Sequence, residues 1–216
     1  MIVLKLIEAE VRVLGCLIEK EMTTPDYYPL SLNALVNGCN QKSNREPVVT
    51  YDDETVIRAI GSLKVKGLVW QSDLDRVPKY AHSFLKSDNL VNKEAAILCV
   101  LFLRGQQTAG EIRERTDRLY KFNSIEEVKE ILQSLEDMGY VKLLPRQHGL
   151  KEPRYTHLLS DVMVQQSTET TGDLSPAVSI NSTENDRITE LEEELKKLRQ
   201  DMEKLRHEFL EFKGQF

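Results

Sequence analysis

One stretch of this chain is written twice, and that repeat constrains the fold more than any other feature. Val56-Ile57-Arg58-Ala59-Ile60-Gly61-Ser62-Leu63-Lys64-Val65-Lys66-Gly67-Leu68-Val69 returns 72 residues later as Val128-Lys129-Glu130-Ile131-Leu132-Gln133-Ser134-Leu135-Glu136-Asp137-Met138-Gly139-Tyr140-Val141. Val56 matches Val128, Ser62 matches Ser134, Leu63 matches Leu135 and Gly67 matches Gly139. In each copy the apolar residues recur at helical spacing, as Val56, Ile60 and Leu63 or Val128, Ile131, Leu132 and Leu135. Gly67 and Gly139 then end the helix, because glycine accepts the left-handed conformation of a C-terminal cap. An apolar strand follows at once. A helix that stops at glycine and feeds directly into a strand is how the third helix of a winged helix-turn-helix enters its wing. Third helices are therefore predicted over roughly 52–66 and 124–138.

The flanking segments fit the same scheme. Ile7, Val11, Leu14, Leu17 and Ile18 form the stripe of an amphipathic first helix that Thr23-Thr24-Pro25 stops. Ser31 caps a short second helix, and Asp52 and Asp53 favour the N-terminus of the third. Leu68 to Trp70 and Tyr80 to His82 read as wing strands around a loop from Asp73 to Pro78. In the second half, Lys93 to Leu103 is a nearly all-apolar helix and Thr108 caps the next. Ser124 caps the third, with Glu127 completing a capping box. Tyr140 to Leu144 and Arg154 to Leu158 make the second wing, around a loop from Pro145 to Pro153. The expected fold is mainly α with small β wings, an α+β class, built as two tandem winged-helix domains over 1–86 and 87–160.

Residues 161–184 are rich in Ser, Thr, Gln and acidic side chains and read as a flexible linker. Residues 185–216 read as a coiled-coil helix. Ile188, Leu195, Met202 and Phe209 fall at a positions, and Leu191, Leu198, Leu205 and Phe212 at d. The pairs Arg187–Glu192, Glu194–Arg199, Asp201–Arg206 and Glu208–Lys213, each of opposite sign, favour a parallel two-stranded homodimer.

Charge narrows the function classes. Residues 1–86 and 87–160 each carry 11 Lys+Arg against 11 Asp+Glu, and residues 161–216 carry 7 against 13. The net charge of −6 thus arises in the tail, and neither half is strongly basic. Cys16, Cys39 and Cys99 are odd in number and far apart, with Cys16 and Cys99 inside apolar helical patterns. Buried reduced thiols and a cytoplasmic location follow. Met1 to Ile7 lacks a basic leader, no run approaches a membrane span, and no membrane partner is expected.

Long polar strings add a resemblance. Arg12-Val13-Leu14-Gly15-Cys16-Leu17-Ile18-Glu19-Lys20, Thr23-Thr24-Pro25, Tyr28-Pro29-Leu30-Ser31-Leu32-Asn33-Ala34-Leu35, Asn40-Gln41-Lys42-Ser43-Asn44-Arg45-Glu46-Pro47 and Lys151-Glu152-Pro153-Arg154-Tyr155 resemble the bacterial YceH-like family. The resemblance covers roughly residues 6 to 160. It implies two winged-helix domains and carries no established activity, cofactor or ligand.

The connection Asn40-Gln41-Lys42-Ser43-Asn44-Arg45 is the most suggestive polar run. It falls between the second and third helices, where helix-turn-helix proteins approach phosphates. Lys42 and Arg45 can neutralise phosphates, while Asn40, Gln41, Ser43 and Asn44 can bond to phosphate or base edges. The competing reading, of equal weight, is that these Asn and Ser residues stabilise turns. Arg58 and Lys64 on the third helix, with Arg76 and Lys79 in the wing, complete the candidate nucleic-acid contacts. Against them, Asp52, Asp53 and Glu54 open that helix, and the second copy sets Glu126, Glu127, Glu130, Glu136 and Asp137 against Lys129 alone. Arg146, His148, Lys151 and Arg154 in the second wing loop read as ordinary polar loop residues. His82, His148, His157 and His207 lack metal-ligand spacing, and no phosphate loop or nucleophile elbow is present, so neither enzyme activity nor a cofactor is expected. Two functions compete: a homodimeric DNA-binding regulator, and a protein-interaction adaptor that uses the same domains without DNA. The polar connection favours the first and the balanced charge the second, and the balance tips narrowly to DNA.

Overall fold

The computed structural model describes residues 5–73, 76–87, 89–146 and 152–160. The linker over 161–184 and the heptad segment over 185–216, with all eight of its a and d residues, lie outside the described residues, as do His148, Lys151 and His207.

Each half is a trio of helices closed by a hairpin. The first runs α1 (Glu8–Thr23), a single 3-10 turn (Pro25–Tyr27), β1 (Leu30–Ser31), α2 (Leu32–Cys39), α3 (Asp53–Val65), β2 (Val69–Ser72) and β3 (Lys79–His82). The second runs α5 (Asn92–Arg104), α6 (Ala109–Arg115), α7 (Ile125–Asp137), β4 (Val141–Leu143) and β5 (Tyr155–His157). Between them stands α4 (Phe84–Ser87), one short turn that periodicity does not announce.

The repeated sequence is realised in matching hydrogen bonds. Leu68 N–H donates to Leu63 C=O and Gly67 N–H to Lys64 C=O at the end of α3. Tyr140 N–H donates to Leu135 C=O and Gly139 N–H to Glu136 C=O at the end of α7. Gly67 and Gly139 take φ of 71° and 81°, the left-handed cap that turns each helix into its strand. N-termini are equally local: the side chains of Ser31, Asp52, Thr108 and Ser124 accept the backbone N–H three residues on. Thr108 and Glu111 form the reciprocal box. Ser124 differs from expectation, because Glu127 reaches past it to the Asn123 N–H at 3.0 Å.

Both sheets are small and antiparallel. The first has order β1-β3-β2, with Leu30 opposite Tyr80 and Trp70 opposite Ala81. The second pairs Val141 with His157 and Leu143 with Tyr155. A bridge between Gln107 and Tyr155 takes the place that β1 holds in the first half. This helix-rich arrangement with two small sheets is α+β.

The core is continuous through both halves. Residues 10–18 of α1 are buried without a break, because α2 and α3 pack on it from one half and α5 from the other. The helices α1 and α5 meet at Gly15, where an added Cβ would lie 2.9 Å from Leu103 Cδ2 and 3.0 Å from Phe102 Cβ. Turn α4 drops Phe84 between Phe102 and Tyr140, at ring separations of 6.1 and 6.0 Å. Leu6 N–H donates to Leu159 C=O at 2.6 Å, which joins the two ends of the described fold. Among the described residues no helix is long and apolar enough to cross a membrane.

Candidate nucleic-acid interface

The polar connection after α2 divides into an inward and an outward set. Asn40 clamps its base: its amide donates to Tyr51 C=O and accepts from Tyr51 N–H, both at 2.8 Å. Arg45 corrects the expectation that it faces phosphate. It is buried, with Nε on Gly38 C=O at 3.1 Å, Nη1 on Asn44 C=O at 2.9 Å, and both Nη atoms on Glu19. Nη2 also approaches Cys16 Sγ at 3.6 Å. The reason is Glu19, which α1 presents from its packed side and which a guanidinium fork satisfies better than water there. Arg12 adds a second tie, donating to Pro47 C=O at 2.6 Å. All three cysteines are free and buried.

Gln41, Lys42, Ser43 and Asn44 remain outward, and they face the second half rather than open water. Together with Lys20 and Glu19 they form one wall of a cleft of about 460 Å³. Arg104 of α5 and Arg115 and Arg118, at and beyond the end of α6, form the other, over a floor of Cys99, Val100 and Leu103. Asn44, in the left-handed region at φ 61°, accepts a hydrogen bond from Arg104. Arg115 donates to the Gln107 amide oxygen and lies 3.8 Å from Glu111. Burial first, and then repulsion from Arg115, holds the Arg104 guanidinium below its ordinary value. Sequence reasoning missed these three arginines. The basic run Arg113, Arg115 and Arg118 is visible, but interleaved acids disguise it.

The α3 face differs in character. Arg58 and Lys64 are exposed, and Lys64 Nζ donates to Gln71 Oε1 of β2 at 2.9 Å. Lys66 turns away to Glu10 Oε2 at 2.6 Å. Gly61 lies open, with nothing within 4 Å of an added Cβ. Arg76 is exposed and Lys79 half-buried. Apolar Ile57, Val65, Trp70 and Val77 stand exposed on the same elements, Val65 at 90%. On α7 the exposed charges are Glu126, Lys129, Glu130 and Asp137. In the second hairpin Arg146 is exposed, while Arg154 is held by Gln106 C=O at 2.8 Å and Glu111 at 3.2 Å.

The histidines in view are core groups. His157 packs edge-on to Phe102 with ring centroids 5.1 Å apart, and burial pushes it down to about 4. His82 Nε2 lies 2.6 Å from Glu21 Oε2, and burial outweighs that carboxylate in lowering it. No group of three or more His, Cys, Asp or Glu among the described residues is placed to hold a metal ion.

Comparison with known proteins gives a consistent assignment. Residues 6–150 match the profile described as "Protein of unknown function, DUF480". A UPF0502 protein of Solibacter usitatus is 50% identical over 204 residues, covering 93% of this chain and 96% of its own length. A UPF0502 protein of Pelobacter propionicus is 46% identical over 210 residues, covering 96% of both chains. That of Aeromonas hydrophila is 43% identical, covering 95% and 96%. With the profile spanning more than half its length and relatives matching from end to end, the chain belongs to the DUF480 family of bacterial proteins, which carry the name UPF0502.

Proposed function

We propose that this chain binds double-stranded DNA as a homodimeric regulator built on two tandem winged-helix domains, with the first domain making the contacts. The repeated order of three helices and a hairpin supports the domain reading, as does the resemblance to the YceH-like family. One observation carries the DNA reading: on α3, Arg58 and Lys64 stand in solvent on either side of Gly61. With no side chain at 61, the wall of a groove can approach the helix backbone between two cations. At 13 residues, or about 20 Å, α3 has the dimensions that the major groove admits. The Lys64–Gln71 hydrogen bond couples the helix to the hairpin that carries Arg76 and Lys79. Free cysteines fit a reducing, cytoplasmic compartment. Dimerisation rests on the heptads of 186–213 alone.

The test is fluorescence anisotropy of a mixed-sequence duplex across a salt series. Converting Arg58 and Lys64 together to Ala is expected to flatten the log–log salt slope by about two units, roughly 0.9 per lost phosphate contact. A parent protein that ignores DNA at low salt ends this reading. The adaptor reading then takes its place, favoured by exposed Ile57, Val65, Trp70 and Val77 on these same elements.

A further inference from the structure

We propose that the cleft between the 41–44 connection and helices α5 and α6 is a binding site for an oligophosphate anion, either carried by a nucleotide or free. Five cations face it, Lys20, Lys42, Arg104, Arg115 and Arg118, against one carboxylate, Glu19. That carboxylate is already held on both oxygens by Arg45 from behind. Lys20 Nζ also lies 3.6 Å from Glu19, yet five cations against one carboxylate leave the lining positive.

The cations are also arranged for capture. Lys42 and Arg118 are exposed on opposite walls, and neither pairs with another described residue. Arg104 and Arg115 donate to the neutral amides of Asn44 and Gln107, and the carboxylate nearest Arg115, Glu111 at 3.8 Å, is shared with Arg154 at 3.2 Å. An anion entering between Arg104 and Arg115 relieves the repulsion that now acts on Arg104. Guanidinium forks match phosphate oxygens in pairs, and Lys supplies a point charge alongside.

Size and lining select the ligand class. About 460 Å³ lies within the range of small-ligand sites and far below what a duplex needs. The cleft also has an apolar part to its lining, Val100, Leu103 and Leu119, which gives a ring or sugar a surface to cover. This site is separate from the α3 face, so it stands whether or not that face binds DNA.

Calorimetric titration and thermal melting of the full chain, in metal-free buffer, decide the matter with three probes: ATP, inorganic tripolyphosphate and AMP. ATP or tripolyphosphate is expected to bind and raise the melting temperature, with AMP far weaker. Binding of ATP alone marks a nucleotide site, and equal binding of both marks a site for the phosphate chain itself. The doubly substituted Lys42→Ala, Arg118→Ala protein, altered only at exposed side chains, is expected to melt like the parent and bind about a hundredfold more weakly. The Arg58→Ala, Lys64→Ala protein is expected to bind the probes as the parent does. The proposal is overturned if neither oligophosphate binds at millimolar concentration, if AMP binds as well as ATP, or if the Lys42/Arg118 variant binds unchanged. It is also overturned if that variant loses affinity for duplex DNA while the parent ignores both oligophosphates.

Discussion

Arg45 and Glu19 meet through two hydrogen bonds, Nη2 to Oε2 at 2.6 Å and Nη1 to Oε1 at 3.1 Å, with the Arg45 side chain fully buried. This pair fastens the connection between α2 and α3 to the buried side of α1. It leaves 41–44 as a short lip whose polar side chains line the cleft on the other side.

Removing one partner strands the other. Arg45→Ala is expected to cost about 3–5 kcal/mol in urea unfolding, the scale for breaking a buried ion pair. Combining it with Glu19→Leu should recover part of that loss, because no lone charge then remains inside. If Arg45→Ala unfolds at the same urea concentration as the parent, Arg45 is not a clamp.

The crossing of α1 and α5 depends on the missing side chain at Gly15. Gly15→Ala gains about 1 kcal/mol of helix propensity but meets Phe102 Cβ and Leu103 side-chain atoms at 2.9–3.1 Å. Overpacking of about 1–3 kcal/mol is expected to prevail, and Gly15→Val to be worse. Thermal melting of both variants checks the order, and a stabilised Gly15→Val would refute it.

Acid should weaken the fold through His157. Its value falls from 6.5 in the open chain to about 4 when buried, so the unfolded state binds the extra proton between those limits. Stability is complete above about 6.5 and is lost progressively as the pH falls towards 4, by about 3 kcal/mol. His157 Nδ1 has no hydrogen-bond partner among the described residues, so His157→Phe gives up no bond at that atom. That variant should show a shallower fall over pH 6.5–4, with His82 supplying what remains in the same direction. Urea midpoints measured across this window, identical for parent and variant, would discard the assignment.

Dimerisation should depend on residues 186–213. Sedimentation equilibrium is expected to give a dimer for the full chain and a monomer for a chain ending at Ser160. Leu198→Asp, at a d position, should shift the full chain to monomer. A monomeric parent at micromolar concentration would remove the coiled coil from the account.

Several features of this protein were legible in the chain itself because they are settled within a few residues. The caps at Ser31 and Thr108, and the glycine stops at Gly67 and Gly139, use hydrogen bonds spanning three to five positions. The repeat at an offset of 72 accordingly foretold the order of helices and hairpins. Arg58, Lys64 and Arg76, named from the sequence as candidate nucleic-acid contacts, are exposed. What the tertiary structure alone decided is where side chains go when two elements compete for them. Arg45 and Lys42 stand three residues apart in one polar run, yet one is buried on Glu19 and the other lines a cleft. No local pattern separates them, since the choice turns on which side of α1 carries Glu19. Arg104, Arg115 and Arg118 join that cleft only because α5 packs across α1 at Gly15. Short-range hydrogen bonds are written into neighbouring residues, whereas the burial of a charge and the assembly of a cleft depend on faces that meet only when distant helices pack.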